Sequence, residues 1–318
     1  MRTARIMLSL VLLLPLCAAV GEAQIGGKPG AYSRMGFGAR GMGMGNATTA
    51  LVSGDVVGYD NPALLPWLEY RHASASFGIL SLDRSLNFLT FSMALPPQAG
   101  LSAGIINSGV SDIDGRDGDG VPTGALKTSE NQAFLSFGVR TKIGLSIGTT
   151  VKLLYYHLYT DMTSLTAGVD LGAYYRVTDD LAVAATVRDI NSKYKWDSAV
   201  LFAEQGSTSE DRFPTRVTFG AAYRLPDSIG TVTADCEFSN ASTITLRAGA
   251  EVPLVEALTI RAGVDRIDLK EKGNGVRPAF GFTVQHPVYS LMGRLHYVFV
   301  LEPFSPGGLH LITLSAQF

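Results

Sequence analysis

Four carboxylates gathered among glycines are the first residues in this chain that could do chemistry. Asp112, Asp114, Asp117 and Asp119 lie in one glycine-rich stretch that ends at Gly120. Clustered carboxylate oxygens on tight turns suit a hard cation such as calcium. The spacing is not that of an EF-hand, because Arg116 holds the fifth position and Asp117 the sixth, where glycine belongs. A weak calcium site and a plain solvated loop are the two readings, and no other cofactor is called for. Gly36-Phe-Gly-Ala-Arg-Gly41 matches the spacing of a dinucleotide-binding turn. That turn requires a buried strand before it and a helix after it, and neither is legible here. Glycines that let backbone pack closely account for it better. The five histidines, His72, His157, His286, His296 and His310, stand far apart, with no partner at metal-ligand spacing and no nucleophile turn beside them. An enzyme is not expected.

The elements that would carry these residues begin after a leader. Arg2 and Arg5 precede an apolar run from Ile6 to Leu16, and Gly21-Glu22-Ala23 offers small residues for cleavage, so residues 1–23 read as a secretory signal peptide. The run falls short of the roughly 20 residues a membrane helix needs. Leu16 before Cys17 stands where a lipoprotein requires a small residue. Without the leader, Cys236 is the one cysteine left, which rules out an intrachain disulfide. The chain is 46% hydrophobic and only 17% charged, with mean hydropathy +0.19, too apolar for an ordinary exported soluble protein. A formal net charge of −2 gives no reason to expect a nucleic-acid partner.

From residue 70 onward the chain alternates with a period of two. Val217, Phe219, Ala221 and Tyr223 share one face of a segment, against Arg216, Thr218, Gly220, Ala222 and Arg224 on the other. Such alternation is a strand with one apolar and one polar face. Fourteen segments follow, near 70–79, 84–95, 99–108, 130–140, 143–157, 163–176, 180–189, 214–225, 229–240, 242–252, 256–266, 275–286, 288–302 and 308–318. Their length suits tilted membrane strands of about 9–11 residues better than globular strands of about 5–6. Tight turns follow the even-numbered segments. Long loops, 109–129 and 190–213, follow the third and seventh, and medium ones the eleventh and thirteenth. That parity belongs to outer-membrane barrels. The expectation is an all-β fold, a 14-stranded antiparallel transmembrane β-barrel over residues 70–318, in the bacterial outer membrane with lipid around it.

The polar faces would then line the lumen, with Arg247, Arg261, Arg277, Arg294 and His296 among a row of mixed charges, most simply a solvated, salt-bridged lining. Tyr155, Tyr175, Tyr223, Tyr289 and Phe299 fall on apolar faces near strand ends, as an interfacial aromatic belt requires. Phe318 closes the last strand in the manner of the signal that barrel-assembly machinery recognises. A barrel of fourteen strands is wide enough to leak unless something fills it. Residues 24–69, rich in glycine and methionine, are the candidate filling.

Here a resemblance enters. Gly38-Ala-Arg-Gly-Met-Gly-Met-Gly-Asn46, then Gly54-Asp55 and Tyr59-Asp-Asn-Pro-Ala-Leu64, resembles the opening of the FadL-like outer-membrane barrels, which include the PorV/PorQ group linked to type IX secretion. Asp60 and Leu64 depart from that pattern, where Trp and Gly are usual. The resemblance implies a fourteen-stranded barrel with the N-terminal segment folded into its lumen as a hatch. Two functions stay open. One is passive uptake of a hydrophobic small molecule, with Met35, Phe37, Arg40, Met42, Met44, Asn61 and Pro62 at a ligand pocket between hatch and wall; flexible methionines suit such a pocket. The other is a PorV/PorQ-like role in holding proteins exported by type IX secretion through the loops 109–129 and 190–213, with Tyr194 and Trp196 as anchors.

Overall fold

The computed structural model describes residues 27–318, apart from 53, 160–161, 271–274, 304 and 306. The leader at 1–23 and residues 24–26 of the N-terminal segment lie outside the described residues. Fourteen antiparallel strands, each hydrogen-bonded to its neighbours in chain order, close into a barrel. They are β1 (His72–Leu80), β2 (Arg84–Leu95), β3 (Ala99–Arg116), β4 (Pro122–Arg140), β5 (Leu145–Tyr159), β6 (Met162–Arg176), β7 (Leu181–Ile190), β10 (Arg216–Arg224), β11 (Thr231–Ser239), β12 (Ile244–Val255), β13 (Leu258–Asp268), β14 (Arg277–Val288), β15 (Leu291–Val300) and β16 (Leu309–Gln317). Closure comes from β1 pairing along its whole length with β16, so no edge is left open. Phe318 sits beside that seam, its backbone paired with Arg71 and its ring against Phe91.

Two connections differ from the expected loops. The stretch at 109–129 is mostly strand: β3 and β4 run on as a hairpin to Arg116 and Pro122, with irregularities at Val110/Ile113 and Gly115/Arg116. Both faces of that extension meet water, so nothing forces its side chains to alternate, and pattern alone misses it. The stretch at 190–213 holds a second hairpin, β8 (Lys193–Asp197) with β9 (Thr208–Arg212), joined by a short helix Ala199–Phe202.

The wall is two-sided. Outward positions are exposed and apolar on neighbouring strands: Leu89, Ile105, Leu135, Leu153, Leu171, Phe219 and Phe280. Tyr155, Tyr175, Tyr223 and Tyr289 are likewise exposed. The alternate positions are buried and polar. Lys152 lies 2.6 Å from Asp170 and 2.5 Å from Asp189, which also holds Arg216 at 2.7 Å. Glu237 links Arg216 to Arg247, Asp265 takes Arg247 at 2.8 Å, and Arg277 bonds Glu302 at 2.7 Å. This is an ion-pair chain from β5 across the wall to β14. The expected lining was solvated, yet Arg261, Arg277 and His296 are buried; Gly43 of the N-terminal segment lies against Arg261 and Asp55 against His296.

Asp189 was absent from the expected inner row. Period two places it outward, but a bulge opposite Val169/Leu171 and a positive φ of 61° turn it inward beside Arg188. Removing one member of a buried ion pair leaves its partner charged and alone. Asp189→Asn, which strips the charge shared by Lys152 and Arg216, is expected to lower stability by about 3–5 kcal/mol in reversible urea unfolding, against under about 1 kcal/mol for Asp114→Asn on the exposed hairpin.

Candidate functional site

The N-terminal segment meets the inner wall along a path through the barrel. At the long-connection end, Arg266 of β13 donates to the Arg34 carbonyl (3.2 Å) and Gly30 lies against Phe213. At the short-turn end, the Trp67 indole donates to Ser146 (2.5 Å), with the guanidiniums of Arg140 and Arg176 at 4.5 and 4.4 Å from its ring centre. Between these ends the segment makes three kinds of contact.

The first is polar. Gly38 has a φ of 82° that only glycine adopts readily, and it starts the short helix Ala39–Gly43. That helix places Arg40 against Glu251 in a bidentate pair, while the Arg40 backbone N–H donates to Asp55 (3.1 Å) and the Ala39 N–H to Thr313 (2.9 Å). Arg261 donates to Thr283 (2.7 Å), and Arg294 to Gln285 (3.0 Å). His296 bridges Thr283 through Nδ1 and Ser315 through Nε2. Asp55 approaches the same Nε2 at 3.5 Å. Ser315 and Asp55 share one ring nitrogen, whereas a serine–histidine–carboxylate relay needs them on opposite ones. Asp60 sits near Arg188 (3.9 Å).

The second contact is backbone on glycine. Gly100, Gly138, Gly148 and Gly172 are direct partners across β3, β4, β5 and β6. The turn Asn61–Leu65 lies on this row: a Cβ at Gly148 would fall 2.5 Å from the Pro62 carbonyl carbon, and one at Gly100 2.5 Å from that of Leu65. Asn61 fixes the turn, capping Ala63 N–H (3.0 Å) and donating to the carbonyls of Thr49 (2.9 Å) and Ala173 (3.2 Å), and Pro62 begins the short 3-10 helix Pro62–Trp67. Met44 and Gly45 rest in the same way on Gly249 and Gly263 of β12 and β13. Sequence reading overlooked these rows; the signal was glycine at inward positions of adjacent segments.

The third contact is apolar. Phe37, Met42, Val56 and Tyr59 are buried with Leu80, Leu86, Phe88, Ile106, Phe134, Val298, Val300, Leu309 and Leu311, and Met35 packs against them. These wall residues come from β1–β4, β15 and β16, so one side of the interior is oily and the other charged. Met44 is buried outside that cluster.

Other expected site residues fall elsewhere. Asp112, Asp114, Asp117 and Asp119 are on the exposed end of the β3–β4 hairpin, where Asp114 pairs with Arg116 (2.6 Å) and Asp117 accepts from the N–H of Asp119 and Val121. Among the described residues no group of three or more acidic, histidine or cysteine side chains is gathered as metal ligands. Tyr194 and Trp196 are corrected: they are 2% and 6% exposed, packed with Tyr156 and Phe213. The Tyr194 hydroxyl donates to Glu130 (2.6 Å). The hairpin folds back onto β6, as Lys195 N–H bonding Ser164 shows, so neither ring is available as an anchor for an exported protein.

No family model and no curated protein sequence matches this chain. Solved structures do. The toluene transporter TodX of Pseudomonas putida superposes with a TM-score of 0.61 at 14% identity, covering 89% of this chain and 96% of that one. A Pseudomonas aeruginosa FadL homologue gives 0.60 at 11% identity, covering 88% and 98%. The chain has the fold of the FadL-like barrels. Nothing in these likenesses points to the PorV/PorQ group. Solved structures that share this fold include transporters.

The glycine row carries a direct expectation. Gly148→Val should leave the barrel closed but unseat Asn61–Leu65, and new protease cuts within residues 56–69 would report it. A segment as protected as in the parent protein would contradict the assignment.

Proposed function

We propose that this protein is a bacterial outer-membrane channel for passive uptake of hydrophobic small molecules, and that its N-terminal segment is the hatch that closes it. The observation that carries the reading is the oily inner wall. A barrel interior facing water gains nothing from Leu86, Phe88, Ile106, Val298, Leu309 and Leu311, yet these side chains line it with Phe37 and Met42 of the segment. They give a hydrophobic molecule a surface to cross that the charged side of the barrel denies it. The exposed leucines and phenylalanines of the outer wall suit a lipid surround, since a charge there costs about 2–4 kcal/mol at the bilayer midplane. The fold of a toluene transporter supports the same reading. Removal of the leader at 1–23 and recognition of Phe318 by assembly machinery belong to this proposal as the export route. Met35, Phe37 and Met42 would form the ligand surface, Arg40 would latch the hatch to Glu251, and Asn61 and Pro62 would seat it.

Deletion of residues 28–69 tests the hatch. The full-length protein should be nearly silent in planar bilayers and the deleted form should conduct ions steadily. A deleted form that inserts and stays closed would sink the reading.

A further inference from the structure

The β8–β9 hairpin leaves the wall at the long-connection end and folds back into the barrel mouth. The strand β8 pairs with β9 and with no wall strand, so the hairpin carries its own ladder. Among the described residues three hydrogen bonds tie it to the wall: Lys195 N–H to Ser164 (2.8 Å), the Thr166 hydroxyl to the Lys193 carbonyl, and the Tyr194 hydroxyl to Glu130 (2.6 Å). Its outer strand β9 is exposed along its length. The chain turns off the wall through Asp189 and Asn191, at positive φ of 61° and 57°. Lifting the hairpin about that root would break no ladder bond of the barrel. Its underside is apolar: Tyr194, Trp196 and Phe213 cover Leu154, with Tyr156, Leu158 and Met162 packed against them.

The hairpin also bears on the start of the N-terminal segment. A Cβ on Gly30 would fall 2.2 Å from the Phe213 ring, and the φ of 67° there suits glycine. Tyr32 donates to Gln132 (2.9 Å), two residues along β4 from the Glu130 that holds Tyr194. From Tyr32 the rings continue through Phe37 and Tyr59 to Phe134, with centroids 6.5, 5.0 and 5.5 Å apart. Trp196, Tyr194 and Phe213 follow one another at 5.7 and 4.9 Å on the hairpin side. An aromatic line thus leads from the mouth to the middle of the segment.

We propose that the β8–β9 hairpin is the outer lid of the uptake path and is yoked to the hatch, so that residues 30–37 loosen when it lifts. This rests on the uptake reading above and names where entry begins and what it releases. Apolar contact has no directional demand. A hydrophobic molecule arriving from outside can therefore replace the contacts that Tyr194, Trp196 and Phe213 make with Leu154 and Tyr156. Once the hairpin is lifted, Gly30 has lost the Phe213 ring and Tyr32 stands beside an uncovered apolar patch. Coupling of this kind is reciprocal. A change in the hairpin is felt at residues 30–37, and a change at Gly30 is felt in the hairpin.

The test reads amide hydrogen exchange of full-length protein in nanodiscs, and uptake of the hydrophobic fluorophore phenylnaphthylamine by cells that carry the protein. Trp196→Ala removes a ring that packs on Tyr156 and Tyr194. It should speed exchange at residues 30–37 by about tenfold with the wall strands unchanged, and it should raise dye uptake. Gly30→Ala, which drives a methyl group into Phe213, should speed exchange at residues 193–212 in turn. Unchanged exchange at 30–37 in Trp196→Ala overturns the yoke. Faster exchange there without faster uptake, beside a parent protein that does take up dye, overturns the lid. A parent protein that takes up no dye overturns the uptake reading, and exchange then decides the yoke by itself. If Trp196→Ala fails to insert, Gly30→Ala decides, and unchanged exchange at 193–212 overturns the yoke.

Discussion

A sheet that closes on itself must provide for both of its faces at once, and here the two faces are built from opposite materials. Outside, exposed leucine and phenylalanine side chains repeat on successive strands. Inside, lysine, arginine and carboxylates are buried too deeply to be solvated, so each has to find an opposite charge or a hydrogen-bond partner. The N-terminal segment creates that demand by filling the space, and it helps to meet the demand by bringing Arg40 to Glu251 and Thr49 to Asp235. Wall and segment are thus one packed unit.

Much of this was legible in the residues. Fourteen segments of alternating character gave the fourteen strands, because outward apolar positions must alternate with inward polar ones wherever the wall has an oily outside. Where that requirement ends, legibility ends. The outer half of the β3–β4 hairpin pairs backbone to backbone with polar residues on both faces, and it read as a loop. The β8–β9 hairpin was hidden in the same way, and Tyr194 and Trp196 looked like surface aromatics although they cover β5 and β6 from within. Asp189 and Arg266 escaped the inner row because bulges with positive φ break the period at those residues.

The site was only partly visible. Arg40, Asn61 and Pro62 stand in the stretch whose resemblance pointed to a lumenal segment, and each makes contacts that hold that stretch to the wall. What no single segment could show is the glycine row. It is made from four strands whose register is set by three separate pairings, and its meaning depends on the turn that lies on it. The division of the interior into an oily and a charged side is likewise a property of the closed barrel. Each strand alone shows merely a leucine or an arginine at an inward position.

Labelling along β5 tests the two dry faces most directly. In a Cys236→Ser background, cysteines would be placed singly at Val151 and Leu153, which face outward, and at two buried inward positions, Thr150, which faces the segment, and Leu154, which packs under the β8–β9 hairpin. The outward pair should be quenched by a lipid-phase probe, and the inward pair should resist an aqueous maleimide. Rapid aqueous labelling at 150 and 154, or water-phase labelling without lipid quenching at 151 and 153, would contradict a barrel wrapped in lipid and packed from within.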